Sequence, residues 1–344
     1  MEIINTYPLV SFVVLTYNQE EFVREAVLSA FSQKYSPLEI IISDDASSDN
    51  TVTIAKKMIS EYSGEHQIIL NVNSKNLGIG AHVNQVFSRA RGEMILLAGG
   101  DDISHPQRTT RVVQRWLDSG KGAKAIYCGA RHMHPDGSYY GHIETELERG
   151  NLSPEHLMTY KHFKRSLAIG ACGAYAADVM RYFGNLDSNL SIEDIPLLVR
   201  ASMLDGIEYI DEDLVDYRVG VSVWRSRAKK NDPFEKRRER RLFYTKSRLD
   251  VSLQLLHDAL RRNNTSYIKS AIEGYLIHDF VYQCCCQQKI NLQRYFGVAL
   301  ITKNWLYMLL AALMDGNPTI HRLLYQLKHR LLAFKNMIDK RNLS

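Results

Sequence analysis

The 344-residue chain carries 43 Lys and Arg against 38 Asp and Glu, a net charge of +5, with 45% apolar and 24% charged residues. That is an ordinary globular composition with a sizeable core, and no internal repeat or low-complexity segment interrupts it. The charge is uneven: residues 1–224 hold 20 basic against 29 acidic side chains and residues 225–344 hold 23 against 9, so two units with different partners are expected.

Five cysteines, three of them the run Cys284-Cys285-Cys286, show no paired or CxxC spacing. Free thiols, a reducing compartment and no zinc site are the expectation. The first residues lack the basic-then-apolar layout of a signal peptide, so a cytoplasmic location is expected.

In chain order, Val10–Thr16 is a β-rich apolar run, followed by Tyr17-Asn18-Gln19-Glu20 and a helical pattern through Phe22, Val23, Ala26, Val27, Ala30 and Phe31. Glu20 and Glu21 are expected in its first turn, and Pro37 ends the segment. Leu38–Ser43 is a second strand ending at Asp44-Asp45, and Ser47–Thr51 offers N-caps for a helix to about Tyr62. A third strand, Ile68–Val72, leads through Gly78 and Gly80 to a helix over Ala81–Arg91. The strand Glu93–Ala98, the helix Gln107–Ser119 and the strand Ala123–Cys128 continue the alternation. Such alternation predicts βαβ units and a mostly parallel sheet, with ligands beyond the C-terminal strand ends.

Those ends carry Tyr17-Asn18, Asp44-Asp45 and Asp101-Asp102. The last pair follows Gly99-Gly100 at the end of an apolar strand. Two adjacent carboxylates there are either a solvated turn or half of a site for Mg²⁺ or Mn²⁺, which hard oxygen ligands suit. Neither GxGxxG nor GxxxxGK[ST] occurs, so no dinucleotide or P-loop fingerprint is present.

Further on, Glu193-Asp194 stands just ahead of a helix with Pro196 near its start. Acids at a helix N-terminus are held ionised, as a general base must be, although simple capping gives the same pattern.

Five motifs in order give residues 8–224 a resemblance to the inverting glycosyltransferases of family 2. They are Val13–Asn18; Ser43–Thr51; Asn76-Leu77-Gly78 with Asn84; Gly100-Asp101-Asp102 with Pro106; and Ile192-Glu193-Asp194 with Leu197 and Arg200. The resemblance implies an α/β GT-A (Rossmann-like) fold with a helix-flanked, mostly parallel sheet in residues 1–224. It implies metal-dependent transfer of a sugar from a nucleotide-sugar donor, expected to be a UDP-sugar, with inversion. Donor-binding positions are then Thr16, Tyr17, Asn18, Glu20, Asp45, His82, Asp101, Arg218 and Trp224, with Asp45 facing the base. Asp102 and Asp101 would hold Mn²⁺ or Mg²⁺. Asp194 would be the base, with Glu193 bonding the acceptor or orienting the loop. The family's fuller acidic pattern is absent here, where Gly99 and Gly100 stand, and glycines there are expected to let donor groups approach the backbone. Asp216-Tyr217-Arg218 resembles the start of the family's closing loop, but Gly220 or Val221 stands where a histidine is usual. Ile169–Tyr175, rich in small residues, is either a sugar contact or a packed strand.

Residues 225–344 are expected to form a basic helical domain. Arg225–Arg248 holds 11 basic against three acidic residues, with apolar positions at Leu242, Phe243, Leu249, Leu253, Leu255 and Leu256. An anionic membrane surface is the expected partner, and no nucleic-acid-binding motif accompanies the charge. Tyr295–Met314 is long enough to span a bilayer, but Lys303-Asn304 at its centre favours a buried or in-plane helix. The expected role is surface-polysaccharide assembly, of the O-antigen or capsule kind, on an acceptor glycan carried by undecaprenyl diphosphate at the inner face of the plasma membrane. A protein glycosyltransferase and an inactive GT-A scaffold are the alternatives. The oligomeric state is not legible.

Overall fold

A computed structural model describes residues 7–147, 153–158, 167–221 and 234–286. Trp224, the basic stretch 225–233 and Tyr295–Met314 lie outside the described residues.

The expected alternation is present. β1 (Val10–Thr16), α1 (Val23–Phe31), β2 (Leu38–Asp44), α2 (Thr51–Ser60), β3 (Gln67–Val72), α3 (Ile79–Arg89) and β4 (Met94–Gly99) form the first half. The short β5 (Ile103–Ser104), α4 (Arg108–Asp118), β6 (Ala125–Met133) and β7 (Tyr139–His142) follow. Then come α5 (Pro154–Met158), β8 (Gly173–Ala176), α6 (Asp178–Phe183), α7 (Asp194–Met203), β9 (Ile207–Arg218), α8 (Phe234–Arg262) and α9 (Thr265–Cys285).

The strands make one sheet in the order β3-β2-β1-β4-β8-β6-β9-β5, with β7 paired to β6. It is parallel from β3 to β4, as the alternation requires. Beyond β4 it is mixed: β8 runs antiparallel to β4 and β6, whereas β6 and β9 are parallel. Val10, Phe12, Val13 and Val14 of β1 and Ile40, Ile41 and Ile42 of β2 are fully buried, the mark of strands covered on both faces. Register brings Leu15 level with Ser43 and Gly99, and Ser43 level with Asn71, so the C-terminal strand ends share one edge.

Several boundaries differ from the pattern reading, each for a local reason. Glu20 and Glu21 precede α1, whose first turn carries Glu25 instead. Helix α3 begins at Ile79, not Ala81, because Gly78 takes the left-handed φ of 79° needed to turn into it. Strand β6 continues five residues past Cys128, since β7 and β9 pair its extension.

The chain divides into two compact units, but not by a single cut. Gln254–Ser270 groups with Met1–Arg227, and the other unit is Ala228–Leu253 with Ala271–Ser344. In the first unit Arg200 of α7, with no exposed surface, makes a two-pronged ion pair to Asp258 of α8 at 2.7 and 2.9 Å. Arg200 Nη1 also donates to the Gly184 carbonyl. Arg200, one of the family-like motif positions, is thus bound to helix α8. In the second unit, buried Val251, Ile277, Phe280 and Val281 supply apolar packing, and Ser252 bonds His278. Burial pushes that imidazole down to about 3, so it is neutral. Among the described residues no helix is long and apolar enough to cross a membrane.

Candidate active site

The ends of β1, β2 and β4 open into a cleft of about 210 Å³. Thr16, Tyr17, Gln19, Asp45, Asn76, His82, Gly99, Asp101, Gly170 and Glu193 are among its lining residues. The cleft therefore gathers residues from three strand ends and from two segments more than sixty positions downstream.

Of the Asp44-Asp45 pair, only Asp45 lines it. Asp44 is consumed by its own surroundings, accepting from Thr16 Oγ1 (2.8 Å), Ser47 Oγ (2.6 Å) and the Ser47 N–H. Asp45 Oδ1 accepts from Asn73 Nδ2 and the Leu77 N–H, and Oδ2 from the Gly78 N–H. That leaves one lone-pair position on Oδ2 for a further donor. The same bonds tie the Asn76-Leu77-Gly78 segment to β2. His82 is buried, not a surface helix residue, and its Nε2 lies 2.7 Å from Ser43 Oγ. Burial lowers its proton affinity, outweighing the pull of Asp45 and Asp44.

Asn18 and Glu20 lie outside the cleft lining. The Asn18 side-chain oxygen accepts from the Ser48 N–H, and Glu20 Oε2 accepts from the Asn50 N–H and Nδ2. Both clasp the 47–51 loop, which helps to hold Asp45 in place.

Asp101 faces the cleft and Asp102 is buried behind it, 4% exposed. Asp102 Oδ1 accepts the Arg218 N–H at 2.8 Å. Burial raises the Asp101 carboxyl above its ordinary range; burial and then the neighbouring Asp101 charge raise Asp102 much further, against the opposing pull of Arg218 and Arg108. Burial of the adjacent carboxylates is thus only partly offset by Arg218 and Arg108, a condition a dication relieves. Among the described residues no cluster of three or more His, Cys, Asp or Glu is placed to hold a metal. Two carboxylates do suit an ion that takes its remaining ligands from water and phosphate oxygens. A Cβ at Gly99 would stand 2.7 Å from Asp102 Oδ2 and 2.8 Å from Asp101 Oδ1. The glycine therefore makes room for the acid pair itself, and a third acid at 99 would displace both.

Arg218 sits behind the pair, outside the cleft lining. Its Nε donates to the Asp101 carbonyl (2.9 Å), Nη1 to the Pro135 carbonyl (2.8 Å) and Nη2 to Glu25 Oε2 (2.5 Å). Gly220 adopts a left-handed turn, φ 91°, just beyond it.

Glu193 stands at the N-cap position of α7 and lines the cleft, whereas Asp194, the first residue of the helix, is outside the lining. A Cβ built on Gly170 would lie 3.2 Å from both Glu193 Oε1 and Asp194 Cβ, so the small-residue segment abuts the acids. Asp194 Oδ1 accepts the Ile195 N–H at 2.8 Å. Burial, and then Asp194 beside it, push the Glu193 carboxyl up to about 8. Below, Tyr127 and Tyr175 share a 2.6 Å hydroxyl contact, and burial raises both phenols. Cys172 is buried with its thiol pushed up, which suits packing and not nucleophilic attack.

A raised carboxyl in the folded state has a definite consequence. From about pH 4.5 to about 8 the folded chain keeps a Glu193 proton that the unfolded chain has lost, so stability falls as pH rises through that window. Glu193→Gln removes this slope. Urea unfolding at both ends of the window is expected to show the variant gaining about 2 kcal/mol on wild type at the upper end, after allowance for partial exposure. Parallel curves for the two proteins would contradict the assignment.

Pattern reading passed over Gln19, whose side chain bonds Asp101 and whose Oε1 receives the Tyr17 N–H. Its place in the Tyr17–Glu20 strand-end run was the available signal. It also passed over Arg108, fully buried, donating to Ser104 Oγ and the Leu97 carbonyl. A first-turn arginine on a strongly amphipathic helix carries no sign of burial.

Residues 11–183 match the family described as Glycosyl transferase family 2. Over 109 residues the chain is 38% identical to the "Putative glycosyltransferase EpsE" of Bacillus subtilis, covering 32% of this chain and 38% of that protein. Over 163 residues it is 29% identical to the hyaluronan synthase of Pasteurella multocida, covering 47% and 16%. These matches span less than half of either relative. Among solved structures, S. aureus TarS 1–349 in complex with UDP-GlcNAc aligns with TM-score 0.54 and 16% identity over 91% of this chain and 83% of its own. Mannosyltransferase PcManGT from Pyrobaculum calidifontis, in complex with GDP-Man and Mn²⁺, aligns with TM-score 0.52 and 15% identity, covering 91% and 88%. At such identities the likeness is one of fold.

Proposed function

Because the chain belongs to glycosyl transferase family 2 and has the GT-A fold, we propose that it transfers one sugar from a nucleotide-sugar, a UDP-sugar, to a hydroxyl of a glycan acceptor, with inversion. The observation that carries this reading is the meeting of Asp45, Asp101 and Glu193 in one cleft.

In this reading Thr16, Tyr17, Asp45 and His82 surround the base, Asp45 taking an N–H on its remaining lone pair. Neutral His82 adds a polar contact without a charge. Asp101, facing the cleft, with Asp102 behind it would hold Mn²⁺ or Mg²⁺, which when bound would supply Lewis-acid compensation of the charge on the departing diphosphate. Burial and the neighbouring Asp194 charge favour the protonated form of Glu193, so the reading gives proton abstraction to Asp194, at the favourable end of the α7 dipole. Asp194 takes the proton of the acceptor hydroxyl. The oxygen bonds to the anomeric carbon as that carbon's bond to the diphosphate oxygen breaks, and the electron pair leaves with the nucleoside diphosphate. Protonated Glu193 donates a hydrogen bond within the cleft and orients the acceptor.

The acceptor is a glycan on a lipid diphosphate in surface-polysaccharide assembly. The basic run Lys236, Arg237, Arg238, Arg240 and Arg241 near the start of α8 would draw the enzyme to the anionic inner leaflet of the plasma membrane. Flotation with anionic vesicles is expected to carry the full chain upward in a salt-sensitive manner; equal flotation with neutral vesicles would remove the electrostatic part.

A thermal-shift panel of UDP-, GDP- and dTDP-sugars, with and without Mn²⁺, tests the donor. A ligand that prefers the folded state adds about 2.7 kcal/mol at one hundred times its Kd. UDP-sugars with Mn²⁺ are expected to give the largest rise. A larger rise with another base reassigns the donor, and no rise with any favours the inactive scaffold.

A further inference from the structure

Arg218 is a buried cation beside two buried or half-buried carboxylates, yet its side chain bonds neither. Nε and Nη1 go to the carbonyls of Asp101 and Pro135, and Asp102 receives only the backbone N–H of residue 218. Its ion-pair partner is Glu25 of α1, at 2.5 Å, half-exposed and outside the cleft lining. Phe22, three residues earlier on the same face of the chain entering α1, lies under the guanidinium, 4.6 Å from Cζ to the ring centroid.

A guanidinium so placed would by ordinary chemistry form a two-pronged pair with a neighbouring carboxylate, because its planar fork matches that group. Such a pair would neutralise the acids from within the protein and compete with any bound cation. Glu25 offers the fork another anion, and Phe22 offers its face a ring. We propose that Glu25 is a positioning residue: by engaging Nη2 of Arg218 it keeps the guanidinium from pairing with Asp101 or Asp102, leaving both carboxylates available to a divalent cation. This rests on the metal reading of the acid pair given above. It also makes the availability of the site depend on α1, an element that supplies no ligand.

The test is Mn²⁺ binding to the full chain, followed by loss of the free-ion electron paramagnetic resonance signal, with and without UDP. Glu25→Gln keeps the shape and an acceptor oxygen but removes the charge, and Glu25→Ala removes both. The expected result is Mn²⁺ binding weakened about tenfold, the scale of loss when a group orienting metal ligands is removed, with the alanine variant the weaker. Circular dichroism melting within a few degrees of wild type for the glutamine variant separates this from unfolding. In the double variant Glu25→Ala with Arg218→Gln the competing cation is gone, and Mn²⁺ affinity is expected to recover toward wild type. Equal Mn²⁺ affinity in wild type and both single variants overturns the proposal. So does a double variant weaker than Glu25→Ala, which would mean that Arg218 supports the acids directly. Wild type that takes up no Mn²⁺ with or without UDP removes the metal reading and this role with it, a result distinct from failure of the variants alone.

Discussion

Asp194→Asn is expected to lower the turnover of donor about a thousandfold, the range in which a positioned general base acts, while leaving the Kd for the nucleotide-sugar within about threefold. The amide is isosteric with the carboxylate and can still accept the Ile195 N–H that Asp194 Oδ1 now receives, so the start of α7 is kept. What it cannot do is take a proton. Glu193 beside it is raised by burial before any charge from Asp194 is counted, so it is a poor substitute near neutral pH. Release of nucleoside diphosphate, with water as a slow acceptor, measures the effect even before the glycan acceptor is identified. Asp102→Asn is expected to act differently, weakening Mn²⁺-dependent donor binding, because it removes a charge from the acid pair and not the proton acceptor. Unchanged nucleotide release in both variants would sink the assignment of the two acids.

The largest stability effect is expected at Asp258, outside the cleft lining. Asp258→Ala leaves Arg200, fully buried, without its two-pronged carboxylate, and losses of about 3–5 kcal/mol follow when one partner of a buried ion pair is removed. Burial raises the Asp258 carboxyl even though Arg200 opposes the shift, so desolvation is the larger influence on this pair. Replacing both residues by apolar side chains of similar volume is therefore expected to cost much less than removing either alone. Chemical unfolding of the single and double variants distinguishes the cases: equal losses for Asp258→Ala and the apolar double variant would show that packing, and not the buried charge, dominates. The surviving guanidinium bond to the Gly184 carbonyl limits the single-variant loss.

Much of the fold was legible because it is written in short-range patterns. Ile40, Ile41 and Ile42 form an unbroken apolar run and are fully buried in a parallel sheet; no distant residue was needed to expect that. The acids at the ends of β2 and β4 were legible for the same reason, as was Glu193-Asp194 ahead of Pro196. The antiparallel direction of β8, whose segment read equally as a sugar contact or a packed strand, and the long extension of β6 were not, because a four-residue strand of glycine, alanine and tyrosine has no periodicity to distinguish it from a loop.

Which strand-end residues face the cleft was decided only in three dimensions. Adjacent Asp44 and Asp45 have the same chemistry, yet Ser47 and Thr16 occupy the first while the 77–78 backbone leaves the second one open lone pair. Arg218 looked like a donor contact and instead stands behind the acid pair, its side chain taken up by the carbonyls of Asp101 and Pro135 and the carboxylate of Glu25. Gly99 looked like a missing ligand and is the space into which two carboxylates fit. The sequence by itself determined the strand–helix alternation, the edge at which acids collect and the family, because apolar periodicity and local motif spacing act over a few residues. The distant partners of Asp44, Asp45, Asp102 and Glu25 were set by the three-dimensional fold, because those hydrogen bonds join residues 28 to 193 positions apart, and nothing local specifies which distant group arrives.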